Sequence, residues 1–190
     1  LCTVWNKAWL LGWRDVTGAT VQRTVVSSLI PWQGVGHKFP LALSDYRACD
    51  LACLYANLNA FTLDYSARQK VGGLSLTYFI LKQFPILEPS EFAYSAAWTN
   101  ELSIGNWILP RVLELTYTAW DLQPFARDVG YNGPPYIWDS ERRFLLRCEL
   151  DAAFFHLYEV SRNDVDYVMD TFPIVRKNEE KAFEHQRRQH

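Results

Sequence analysis

The residues best suited to chemistry in this chain are cations set among glutamines and glycines. Arg68, Gln69 and Lys70 lead into Gly72-Gly73, and Lys82-Gln83 follow after a short apolar run. No Asp or Glu lies between Asp64 and Glu88. None lies between Asp15 and Asp45 either, the interval holding Arg23, His37 and Lys38. Lys and Arg neutralise phosphates, Arg reads guanine and Gln reads adenine, and glycine lets backbone N–H groups come close to an anion. The candidate phosphate-contact set is therefore Arg23, His37, Lys38, Arg68, Lys70, Gly72, Gly73 and Lys82, with Gln69 and Gln83 beside the cations. The plain alternative is a helix, turn and strand with a solvated basic edge.

Other chemistries find little support in the sequence. Neither GxxxxGK[ST] nor GxGxxG occurs, and no GxSxG elbow is present. Cys49 and Cys53 have i,i+4 spacing but no CxxC or HxxxH partners, so they read as buried thiols. Four Cys in 190 residues do not resemble a disulfide framework. His37, His156, His185 and His190 share no metal-ligand spacing, and His156 within AAFFHLY reads as a core histidine. Asn132-Gly133-Pro134-Pro135-Tyr136 is close to the Asn-Pro-Pro-Tyr tetrapeptide of amino-methylating DNA enzymes. The inserted Gly133 separates Asn132 from the rest, so the stretch reads as a loop. No cofactor and no metal is expected to bind this segment.

The elements that must position these residues follow from periodicity. Leu51, Leu54, Leu58, Phe61 and Tyr65 form a helical stripe in a segment running from Asp45 to the glycine pair. Val21–Pro31, Phe39–Leu43 and Tyr78–Leu81 read as strands, and Val4–Arg14 as strand or helix. Asp15–Thr20 is a polar turn. Pro110 suits a first helical position, ahead of a stripe of Val112, Leu113, Tyr117 and Trp120. Asp139 or Ser140 caps a helix to about Tyr158, with Arg147 and Asp151 four apart, and Ser161 and Asp164 start a shorter helix ending near Phe172-Pro173. The tail from Arg176 is polar and helix-prone. The fold class expected is α+β: a small mixed sheet with a packed central helix, then a mainly α-helical C-terminal part. A boundary at Glu88–Ser95 gives units 1–87 and 88–190.

Composition agrees with a folded protein. Hydrophobic residues make up 49% of the chain, and there are eight Trp, enough for a core. No apolar run is long enough to span a membrane, and no secretory signal is evident. The only Met is Met169, so a piece of a longer protein is expected. The net charge of −2 hides a split. Through Leu87 there are eight Lys and Arg against four Asp and Glu, and from Glu88 there are eleven against seventeen. The basic half is the one suited to phosphate.

Three stretches resemble the C-terminal portion of large bacterial adenine-specific DNA methylases of type II restriction–modification systems. The first joins Arg14-Asp15-Val16-Thr17, Arg23-Thr24 and Ile30-Pro31. The second joins Leu58-Asn59-Ala60-Phe61, Asp64-Tyr65, Ala67-Arg68-Gln69-Lys70-Val71-Gly72-Gly73 and Leu81-Lys82-Gln83-Phe84-Pro85. The third runs from Gly133-Pro134-Pro135-Tyr136 and Trp138 through Glu141-Arg142-Arg143, Cys148-Glu149-Leu150-Asp151-Ala152 and His156-Leu157-Tyr158. It ends in Asp164, Tyr167-Val168 and Asp170-Thr171-Phe172-Pro173. ARQKVGG…LKQFP is also similar to the signature of TaqI-like specificity domains and of type I specificity subunits.

The resemblance implies a target-recognition region that reads double-stranded DNA in the cytoplasm. S-adenosylmethionine and catalysis would belong to an N-terminal catalytic domain outside this chain, alone or fused to an endonuclease. Arg142-Arg143 would be a second phosphate contact or a solvated helix start. The alternative function is a protein–protein docking domain that presents exposed aromatics to another subunit.

Overall fold

A computed structural model describes residues 5–175 and residue 177. The expectation for the tail, Cys2, His185 and His190 lies outside these residues. The chain is mixed α+β, with helix predominating. Strands β1 (Trp9–Trp13) and β2 (Ser27–Pro31) pair antiparallel, Leu11 opposite Leu29 and Trp13 opposite Ser27. The expected mixed sheet is thus a two-stranded antiparallel one among the described residues. Phe39–Leu43 is not a strand, because it meets β1 only at the Gly12–Leu41 bridge. Its approach is very close. A Cβ on Gly12 would overlap the Phe39 ring and the Pro40 carbonyl oxygen.

The central helix is two helices, α1 (Ala48–Leu58) and α2 (Phe61–Lys70). The break has a clear physical cause in the hydrogen bonds at Asn59 and Phe61. Asn59 turns its amide to β2, donating to Ser27 Oγ at 2.6 Å and accepting from the Ser27 N–H at 3.1 Å. The Phe61 N–H, unsatisfied by α2 itself, donates to Asp151 Oδ1 at 2.8 Å. Tyr78–Leu81 is a single helical turn, α3, and not a strand. An apolar run of four is too short for periodicity to separate the two.

Helix α4 (Ile104–Thr116) carries Pro110 in its interior instead of at its start. Asn106 and Pro110 are both exposed, so water can satisfy the carbonyl that the proline ring leaves without a donor. Ser103 is the actual cap, accepting from the Asn106 N–H at 3.2 Å. Then come α5 (Gln123–Asp128), α6 (Ser140–Leu157) and α7 (Arg162–Asp170). As the sequence suggests, Asp139 caps α6 and Ser161 caps α7, accepting from the N–H of Arg142 at 2.9 Å and of Asp164 at 3.3 Å.

The main core joins Trp9 and Leu11 of β1, Leu51 and Ala56 of α1, Ile108 and Val112 of α4, Phe125 of α5 and Phe154 of α6. It draws on both sides of Glu88–Ser95. A second cluster gathers Trp13, Val25, Leu58, Leu63, Leu76 and Phe84 beneath the basic loops. A third joins Phe61 to Phe155, Val168 and Phe172. His156 is exposed, contrary to the core reading, and stacks on Trp98 at 6.3 Å. Its neighbours Phe154 and Phe155 occupy the buried face of α6.

Candidate nucleic-acid interface

Three loops meet where β1 ends. Residues 14–17 leave the strand, residues 37–41 return from β2, and residues 74–78 follow the glycine pair. Asp15 ties them together. Its N–H donates to the Lys38 carbonyl at 3.0 Å, and its own carbonyl accepts from the Leu76 N–H at 2.7 Å. Its buried carboxylate accepts from Lys38 Nζ at 2.9 Å. The Thr17 N–H donates to the Leu74 carbonyl at 3.0 Å. Trp13 anchors the group from below, its indole N–H donating to the Leu76 carbonyl at 2.8 Å. The Tyr78 ring packs edge-on against Trp13 at 4.8 Å, and its hydroxyl donates to the Leu41 carbonyl at 3.0 Å.

The ten sequence-derived contact residues divide by what they touch. Lys70 closes α2, Lys82 closes α3, and both are exposed with no ion-pair partner among the described residues. His37, Gln69, Gly72 and Gly73 are exposed as well, and Gln83 donates to the Phe79 carbonyl at 3.1 Å. Lys38 is half-exposed, its charge offset by Asp15. Neither Gly72 nor Gly73 has a left-handed φ, and a Cβ on either would meet open space. The fold therefore does not require glycine at either position.

Arg23 and Arg68 are engaged inside the protein. Arg23 pairs with Asp151 Oδ2 at 3.0 Å, donates to the Asn59 carbonyl at 3.1 Å and stacks 3.3 Å over the Phe61 ring. Arg68 donates to the carbonyls of Thr171 at 2.7 Å, Val21 at 2.5 Å and Gln22 at 3.2 Å, lying 3.9 Å over Phe172. Burial lowers its guanidinium pKa. Neither guanidinium is open to a phosphate without breaking these bonds. Arg142 is likewise paired, with Glu114 at 2.9 Å, and Arg143 donates to the Leu115 carbonyl at 2.8 Å.

Sequence reasoning missed the apolar residues of this surface. Leu74 and Phe79 are each 78% exposed, and Trp32 on the loop after β2 is 62% exposed. Reading Tyr78–Leu81 as an apolar strand concealed Phe79. Leu74 stands in an alternation of Leu74, Leu76, Tyr78 and Ile80, so nothing in the sequence marked it as exposed. Asn132–Pro135 is a loop, as expected, with Tyr131 stacked on Tyr136 at 5.3 Å. Among the described residues no group of three or more His, Cys, Asp or Glu could hold a metal, and no helix is long and apolar enough to cross a membrane.

No protein-family model matches the chain, and neither a curated protein nor a solved structure matches it.

Proposed function

We propose that this chain is a sequence-specific double-stranded DNA recognition module, with a target-recognition-like fold, of a cytoplasmic adenine-N6 DNA methyltransferase or restriction–modification enzyme. The observation that carries the reading is the loop cluster. Lys70 and Lys82 are exposed and have no ion-pair partner among the described residues, beside a framework in which the Asp15 carboxylate already holds Lys38. Cations positioned this way neutralise phosphates, and Gln69 and Gln83 would reach base edges beside them. Arg23 and Arg68 hold the framework. The module itself is not catalytic. The methyl donor, S-adenosylmethionine, belongs to the N-terminal catalytic domain, which is the expected protein partner.

Fluorescence anisotropy with a duplex selected from a random library tests this. Affinity should fall about 10- to 100-fold between 50 and 200 mM salt, the range for two to four phosphate contacts. Binding that is insensitive to salt, or absent at low salt, rejects the proposal.

A second reading, protein docking, has its own observation. Ile137 is 92% exposed, next to exposed Trp138 and close in sequence to exposed Phe144 and Leu145. Light scattering of the chain alone and with candidate subunits tests it. An association that I137S/W138S abolishes, in a chain with no DNA affinity, would favour docking.

A further inference from the structure

The stretch between Lys70, at the end of α2, and Lys82, at the end of α3, also holds two large apolar side chains away from the core. Leu74 follows the glycine pair directly, and Phe79 lies on α3, three residues before Lys82 and on the same side of that turn. Both are mostly exposed, while Leu76 between them is fully buried. Their backbone is fixed. The Leu74 carbonyl accepts from the Thr17 N–H, a bridge joins Val16 to Ser75, and Tyr78 is held against Trp13 and Leu41. No carboxylate occurs in the sequence from Tyr65 to Leu87 that would repel a nucleic-acid backbone.

We infer, resting on the DNA reading above, that Leu74 and Phe79 form an apolar wedge that enters the base stack, so that the module prefers DNA with an already broken stack. Leu and Phe side chains can insert between base steps, and an aromatic ring stacks on any base face. Lys70 and Lys82 would hold the phosphates on either side. Insertion costs least where a base is missing or unpaired. A fixed backbone favours this use, because a mobile loop would have to be ordered on binding.

The test compares two duplexes of one sequence, intact or with a central abasic site, by anisotropy with the full chain. The wild type should bind the abasic duplex at least tenfold more tightly. L74S/F79S should bind the intact duplex as the wild type does but lose the preference. K70A/K82A should weaken both complexes while keeping their ratio. Since both wedge side chains are exposed, an unchanged circular dichroism spectrum and melting curve verify the folding of L74S/F79S. Equal binding of the two duplexes by the wild type, or a preference retained by L74S/F79S, overturns the wedge and leaves the DNA reading standing. No binding to either duplex overturns both. A wedge that instead serves a protein partner would show as L74S/F79S losing that partner with no wild-type preference for the abasic site, which also overturns the inference.

Discussion

Asp151 joins two helices and a loop through one carboxylate, with Oδ1 accepting the first N–H of α2 and Oδ2 accepting Arg23. Removing one member of a buried pair leaves the other uncompensated, so R23A should destabilise the protein by about 3 kcal/mol at pH 7 in urea denaturation. Burial already holds the Asp151 carboxyl above its ordinary value of 3.8, and losing Arg23 raises it further. Part of the R23A loss should therefore return as the pH is lowered and Asp151 takes up a proton. A loss independent of pH would contradict this account. Asp64 is similar: its carboxylate accepts the N–H groups of Thr24 at 2.9 Å and Val25 at 3.0 Å, yet burial keeps its pKa raised. A raised native pKa means that the folded state holds the proton more tightly. Its contribution is full below about pH 3.8 and is lost as pH rises through the native value. Among the thiols, Cys53 is buried and pushed up to about 12, whereas Cys148 is exposed. At pH 8 a disulfide reagent should modify Cys148 at once and Cys53 only at the unfolding rate.

At the level of elements, the glycines of this protein do different things. Gly12 sits where β1 and residues 39–40 touch, so G12A should cost about 1–3 kcal/mol by overpacking. Gly72 and Gly73 have open space and ordinary φ, so G72A/G73A should melt within a few degrees of the wild type. If a DNA backbone approaches there, the same variant should bind DNA more weakly despite its intact fold. Anisotropy and thermal melting on one sample separate the two effects, and unchanged affinity would remove the glycine pair from the interface. The α1–α2 break belongs to the same scale. Apolar spacing continues through Leu58, Phe61 and Tyr65, and a periodic stripe carries no record of where Asn59 and Asp151 interrupt it.

For the whole molecule, the main core includes residues from before and after Glu88–Ser95. The acidic C-terminal half contributes α4 and α6 to that core, and α7 to the cluster around Phe172 that supports Arg68. The charge split is therefore also a division of labour. Acidic Asp151 fixes basic Arg23, whereas Lys70 and Lys82 stay exposed at the ends of α2 and α3. K70A and K82A should each reduce the slope of log affinity against log salt by about one, without a change in melting temperature. R23A should leave that slope unchanged and lower the melting temperature.

By itself the sequence determined the α+β class, a cap for α6 at Asp139 or Ser140, the cap of α7 at Ser161, and the stretch in which basic residues concentrate. These follow from local preferences, periodicity and charge, which are written along the chain. Only the tertiary structure decided which cations are available. Arg23 and Lys70 look alike in sequence, but the partner of Arg23 lies 128 residues away, and Lys70 has none among the described residues. It also decided that Leu74 and Phe79 face solvent, because their exposure depends on Trp13, Leu41 and Thr17 fixing residues 74–78. Long-range hydrogen bonds and ion pairs leave no periodic trace in a single sequence, and those contacts select the residues of this surface.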